Sequence, residues 1–185
     1  METPDTQRRR GRLQLLLILG LVIAPMVLAS AMYHLRFWVP EGRSYHGELL
    51  ADGRTLADLG ITTDARHWQL LVTETGPCAE DCQTLVYLAR QINIGLGREA
   101  DRAGHALALT LPLAPEYAER LQREYPRLQH YPLDLQRYSG NASPGGAQLW
   151  VIDPHGNLVL RYDAKARGKA ILGDLKQLLK LSRIG

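Results

Sequence analysis

Two thiols four positions apart, Cys78 and Cys82, are the only cysteines in the chain and the residues best suited to chemistry. Such a pair can form a disulfide, exchange it with another thiol, or grip one soft cation such as Cu(I) between two thiolates. Geometry constrains the choice. Residues i and i+4 of a regular helix keep their Cβ atoms about 5–6 Å apart, whereas a disulfide needs about 3.8 Å. Both cysteines therefore cannot lie inside regular helix and also be bridged. Gly76 and Pro77 break the chain just before them, so Cys78 is expected in a loop or at a cap and Cys82 in the first helical turn. A small ring can close there, and a disulfide and a metal clip are alternatives for one site. A helix N-terminus lowers a thiol pKa, but Glu80 and Asp81 between the cysteines oppose that by like charge. The pair is expected to be less nucleophilic than thiols at an unopposed helix start.

Strands and helices on either side must position the pair. Leu70, Leu71 and Val72, in the run that starts at Trp68, predict a buried strand before the cysteine loop. After it, Cys82, Leu85, Val86, Ala89, Ile92 and Leu96 recur at steps of three and four, one apolar face of a helix that Gly95 and Gly97 end. Residues 105–111 predict a second strand, 116–125 a short helix stopped by Pro126, and 128–135 a third strand that Pro132 places at an edge. Residues 138–146 read as loop by composition. Residues 148–152 and 158–162 form a hairpin about a turn at Asp153, Pro154, His155 and Gly156. From Lys165 a last helix lines up Ile171, Leu172, Leu175, Leu178 and Leu179 on one face. Upstream, residues 45–61 are either a hairpin about Asp52 and Gly53 or a segment docked by Leu49, Leu50, Leu56 and Leu59. This order predicts an α/β fold, a mixed sheet flanked by helices, and it is the order of a thioredoxin-like fold with paired cysteines after the first core strand.

Before all this lies an uncharged, apolar stretch from Leu13 to Met32, 20 residues long. At about 1.5 Å per residue it matches a hydrocarbon core of roughly 30 Å. Arg8, Arg9, Arg10 and Arg12 precede it and predict a cytoplasmic N-terminus, with Tyr33 onward on the far side, the periplasm of a bacterial inner membrane. The competing reading is a cleaved signal peptide ending near Ala29, Ser30 and Ala31; the length of the run and the aromatic residues Tyr33, Phe37 and Trp38 favour a retained single-pass anchor. The chain is thus divided into a basic tail (1–12), an anchor (13–33), a tether with a hairpin or docked segment (34–66) and a thioredoxin-like domain (67–185). The net charge of +3 lies entirely in residues 1–40, and from Glu41 onward acidic and basic residues are equal in number. That balance excludes a nucleic-acid partner.

A copper site with two thiolates needs a third ligand, for which His67, His105, His130 and His155 are the candidates, and no methionine follows Met32. No Ser/His/Asp triad, phosphate loop or paired-carboxylate site stands out.

With these features placed, the chain resembles the Sco family of membrane-anchored, thioredoxin-fold factors that help assemble the copper centres of cytochrome c oxidase, and is more similar still to small transmembrane oxidase assembly proteins of proteobacteria. The resemblance rests on the single span, the Cys78-Ala79-Glu80-Asp81-Cys82 spacing and the WVIDPHGNLVLRY hairpin at residues 150–162. It implies partners among oxidase subunits or other assembly factors, with Cys78 and Cys82 as a redox or Cu(I)-handling pair. One position departs from it. The family carries its third copper ligand, a histidine, ahead of the hairpin, where this chain has Ser143, Pro144, Gly145 and Gly146. The resemblance also implies that Pro144 corresponds to the proline that faces the cysteines in thioredoxins. Two alternatives stand beside an assembly factor: a periplasmic thiol-disulfide oxidoreductase attacking through Cys78, and a binding module stiffened by a structural disulfide.

Overall fold

A computed structural model describes residues 4–35, 45–50, 52–63, 66–141 and 146–182. The chain separates into two units, Met1–Arg43 and Ser44–Gly185. The first is built on helix α1, Pro4–Leu35, which contains Pro25. Its stretch Gln14–Ala31 has a mean hydropathy of 2.3 and is long and apolar enough to cross a membrane.

The second unit runs β1 (Glu48–Leu49), β2 (Trp68–Glu74), α2 (Glu80–Gly95), β3 (Ala103–Leu109), α3 (Pro115–Glu124), β4 (Gln129–Pro132), α4 (Leu135–Asn141), β5 (Gln148–Ile152), β6 (Leu158–Asp163) and α5 (Gly168–Leu181). The strands make one mixed sheet in the order β1-β6-β5-β2-β3-β4. β2, β3 and β4 are parallel, whereas β5 is antiparallel to both β2 and β6. Side chains alternate between the faces, so each strand feeds two cores. On one face Leu70, Val72, Leu107, Leu149 and Leu160 pack with α2 and α5. On the other, Leu71, Ala106, Trp150 and Ile152 pack with Leu56, Leu59, Leu133 and Tyr138. β2 lies between two partners and is buried along its whole length, which makes its C-terminal end a rigid base for the cysteine loop.

The 148–162 hairpin forms as expected. Asp153 Oδ1 accepts the backbone N–H groups of His155 (2.9 Å) and Asn157 (2.8 Å), and Gly156 takes the turn's positive φ of 85°. Of the two readings of residues 45–61, the docked segment holds and the hairpin does not. Glu48 and Leu49 instead pair with β6, and a short 3-10 helix, Leu56–Leu59, buries Leu56 and Leu59 against the sheet. The two leucines have more apolar area to bury than an isolated two-stranded hairpin could cover.

Residues 138–146 are a correction, because α4 takes the first part of the expected loop. The composition of Tyr-Ser-Gly-Asn conceals the cause, which lies upstream at Asp134. Its Oδ1 accepts the N–H groups of Gln136 (2.9 Å) and Arg137 (3.3 Å), supplying the start of a helix that Tyr138 anchors in the core. Asp134→Ala is expected to cost about 1 kcal/mol, seen as a thermal midpoint lower by about 3 °C with an unchanged native spectrum.

Candidate redox site

Cys78 and Cys82 are joined by a disulfide, with their Cα atoms 5.1 Å apart. Cys78 precedes the N-cap Ala79, and Cys82 is the third residue of α2. One cysteine in the loop and one in the first turn is the arrangement that the i, i+4 geometry demanded. Cys82 is completely buried among Leu85, Val86 and their neighbours, whereas Cys78 is half-buried. Cys78 is thus the partly exposed member of the bridge and Cys82 the buried one.

The loop is fixed from below. Glu74, the last residue of β2 and only 8% exposed, turns its Oε1 to the N–H groups of Thr75 (2.8 Å) and Gly76 (2.9 Å). Thr110, just past the end of β3, donates its hydroxyl to the Thr75 carbonyl at 2.5 Å. On the helix side, Gln83 Nε2 donates to the Cys78 carbonyl at 3.2 Å. Beneath these, Thr73 Oγ1 accepts the indole N–H of Trp150 at 2.8 Å and is hydrogen-bonded to the Tyr138 hydroxyl at 2.8 Å. That ties β2, β5 and α4 together, and burial raises the Tyr138 phenol above its ordinary pKa. Sequence reasoning missed Glu74, Thr73 and Thr110. The available signal was a polar and then a charged residue closing an apolar strand one residue ahead of Gly76-Pro77, where loop N–H groups need an acceptor.

Electrostatics at the pair are mixed. An incoming thiolate would meet the Cys78 sulfur, and the electrons of the broken bond would go to Cys82 in the first turn of α2, where the helix dipole favours negative charge. Burial of Cys82 and the exposed carboxylates of Glu80 and Asp81 oppose that charge.

None of the four candidate histidines joins the sulfurs. His67 precedes β2, whose seven residues at about 3.3 Å each separate it from the cysteine end; its ring covers Gly104, where a Cβ would meet Nε2 at 2.5 Å. His105 lies opposite Leu70, near the same remote end of β2, buried with Nε2 unpartnered. Burial, reinforced by Arg90 and Arg127, lowers its pKa. His130 sits on β4, one strand further out, and His155 in the hairpin turn. Among the described residues no group of three or more His, Cys, Asp or Glu side chains is arranged to hold a metal ion. Pro144, the expected counterpart of the thioredoxin proline, lies outside the described residues. Among the described residues the bridged pair has no third donor beside it, of the kind a Sco-type copper site would need.

The fold around this pair matches a known family. The model described as the C-terminal domain of transmembrane-like, thioredoxin-like proteins matches residues 68–182, and the transmembrane-like N-terminal domain matches residues 4–36. The chain belongs to this transmembrane-like, thioredoxin-like family. The expected α/β class, thioredoxin-like with one N-terminal apolar helix, is thereby met, and the N-terminal match together with the apolar helix indicates membrane anchoring of this family member.

Solved structures resemble this transmembrane-like, thioredoxin-like protein in fold. Copper-bound ScoI of Arabidopsis thaliana is 8% identical, with a TM-score of 0.49 over 63% of this chain and 86% of its own. Copper-bound ScoI of Bradyrhizobium japonicum is 16% identical, with a TM-score of 0.45 over 61% and 85%. A thiol:disulfide interchange protein from Bacteroides sp. is 11% identical, with a TM-score of 0.48 over 74% and 91%. No curated protein sequence matches the chain.

Proposed function

We propose that this transmembrane-like, thioredoxin-like protein is a membrane-anchored thiol-disulfide factor that assists assembly of a haem-copper oxidase on the periplasmic side of a bacterial inner membrane. The observation that carries the reading is the asymmetric bridge: a partly exposed Cys78 joined to a completely buried Cys82 at the end of the central strand. The arginines ahead of the apolar span support the orientation, and the oxidising compartment that orientation implies suits a disulfide.

In the exchange, a thiolate of the partner attacks Cys78 Sγ, the Cys78–Cys82 bond breaks, and Cys82 leaves as the thiolate. A second partner thiolate then attacks the mixed disulfide and expels Cys78. The partner loses two electrons and becomes a disulfide; this chain gains them and becomes a dithiol, and the reverse sequence reduces a partner disulfide. Among the described residues, copper handling would rest on the two thiolates of the reduced form.

The test is the potential of the pair together with a trap. A reduction potential within about −270 to −120 mV and a mixed disulfide retained through Cys78 in Cys82→Ser support exchange. A potential below about −300 mV, with no trapped partner, supports the second reading that the complete burial of Cys82 favours, a bridge that only stiffens a binding domain.

A further inference from the structure

All four lysines of the chain, Lys165, Lys169, Lys176 and Lys180, fall in α5 or just before it, and every other cationic side chain apart from histidine is an arginine. Arg167 stands among them, and all five side chains are exposed. The one acid in residues 165–181, Asp174, is 2% exposed and faces inward, engaged by His46, Gly47 and Tyr162. Lys169, Gly173, Lys176 and Lys180 succeed one another at steps of four, three and four, which makes a single stripe along a helix of 3.6 residues per turn. A Cβ at Gly173 would meet nothing within 4 Å, so the stripe is open along its length. None of the five cations has an ion-pair partner among the described residues.

Helix energetics do not account for this charge. A cation stabilises a helix near its C-terminus, as Lys180 does, and destabilises it near the N-terminus. Yet Arg167 is the N-cap of α5, Lys169 is in its first turn, and no acid balances them there. The rest of the domain carries the opposite bias: acidic and basic residues are equal in number from Glu41 onward only when α5 is included, so the residues from Glu41 to Ala164 are net acidic. An unfavourable, unpaired concentration of charge on one helix points to an anionic ligand spread over a surface.

The chain's own connection identifies that surface. His46 and Gly47, at the start of the second unit, donate to Asp174 in the middle of α5 at 2.7 Å and 3.1 Å. Residues 32–45 link the apolar span to that attachment and reach, fully extended, no more than roughly 50 Å. The membrane that holds the span is thus within reach of α5. We propose that the basic face of α5 docks on anionic lipid headgroups of that membrane, with Leu181, 70% exposed in the last turn of α5, to one side of the stripe. The attraction is through lysine point charges, additive along the stripe and weakened by salt. The cysteine pair has no part in it.

Because the lysines are confined to this face, amine-reactive labelling followed residue by residue in the mass spectrometer reads the stripe directly. The full chain is placed in nanodiscs of phosphatidylcholine alone or of phosphatidylcholine mixed with phosphatidylglycerol. Labelling of Lys169, Lys176 and Lys180 is expected to slow by about five-fold or more in the anionic discs and to recover in high salt. In the variant Lys169→Gln, Lys176→Gln, Lys180→Gln, whose exposed replacements leave the fold intact, Lys165 should lose its dependence on phosphatidylglycerol. Equal labelling in both discs, or slowing that salt does not reverse, would overturn the proposal. Protection that arises only when an acidic protein is added would overturn it too.

Discussion

Cells carrying Cys78→Ser or Cys82→Ser are expected to contain less assembled haem-copper oxidase than cells with the native chain at matched abundance of the variant protein. The matching matters because the bridge also contributes stability. Closing a ring of roughly five residues removes denatured-state entropy worth about 2 kcal/mol, which both substitutions lose. Cys82→Ser additionally buries a hydroxyl in an apolar site, at a further cost of about 1–3 kcal/mol. A purely structural bridge therefore predicts two unequal defects that follow protein abundance. Redox exchange predicts equal loss from either change, because a single thiol cannot complete the two-electron step. The Cys78→Ala, Cys82→Ala double variant removes both sulfurs without leaving a buried hydroxyl and serves as the control. Normal oxidase levels in all three strains would remove the cysteines from the mechanism.

The second large effect is expected at Asp174. Its carboxylate accepts four hydrogen bonds: from His46 N (2.7 Å), His46 Nδ1 (2.8 Å), Gly47 N (3.1 Å) and the Tyr162 hydroxyl (2.7 Å). Gly47 lies so close to Tyr162 that a Cβ there would meet the ring at 2.6 Å, so the first strand of the domain is seated as well as hydrogen-bonded. Asp174→Ala leaves the buried Tyr162 hydroxyl and the backbone donors without an acceptor and is expected to cost about 3 kcal/mol in denaturant unfolding. Hydrogen exchange at residues 46–50 should accelerate first, since their attachment depends on this carboxylate. Tyr162→Phe, which removes one donor together with its need for a partner, should cost about 1 kcal/mol.

The same group sets an acid limit. Burial pushes the Asp174 carboxyl up, but the hydrogen bonds from His46, Tyr162 and the two backbone N–H groups together hold it below its ordinary value. A carboxylate whose folded pKa is depressed contributes stability that is fully present above the unfolded pKa of about 3.9. That contribution is lost as pH falls through the lower folded value. Asp174→Asn should therefore flatten the acid limb of stability below about pH 4 while leaving its slope at neutral pH unchanged.

The parts of the fold legible in sequence were those whose signals are local. Apolar runs, helical spacing and turn residues located β2, α2, the β5–β6 hairpin and α5, because each is decided within about ten residues of itself. The position of the cysteines was legible for the same reason: ring geometry and Gly76-Pro77 leave few places for Cys78 and Cys82. What stayed hidden depends on distant partners. Two residues, Glu48 and Leu49, become a strand only because β6 offers an edge, and α4 exists because Asp134 supplies its cap and Tyr138 finds Thr73. Asp174 could have been flagged, since it falls on the apolar face of α5 beside Ile171, Leu175 and Leu178, where an unpartnered carboxylate would be untenable. The acceptor role of Glu74 was similarly implicit in the bare N–H groups of Thr75 and Gly76, but nothing in the sequence tells which side chain meets them.

The two ends of the sheet bear on how such a protein lives in a crowded membrane. One border is β1, two residues long, with Arg161 of β6 paired to Glu48 across it. The other is β4, four residues long, which closes on Pro132 and so lacks an N–H there. Molecules confined to a plane meet far more often than molecules free in solution, and long unpaired strand borders would let neighbours zip together. Short borders, one bearing an ion pair and the other a proline, give adjacent copies little backbone to share, which lets the protein be abundant in its membrane without polymerising along its sheet.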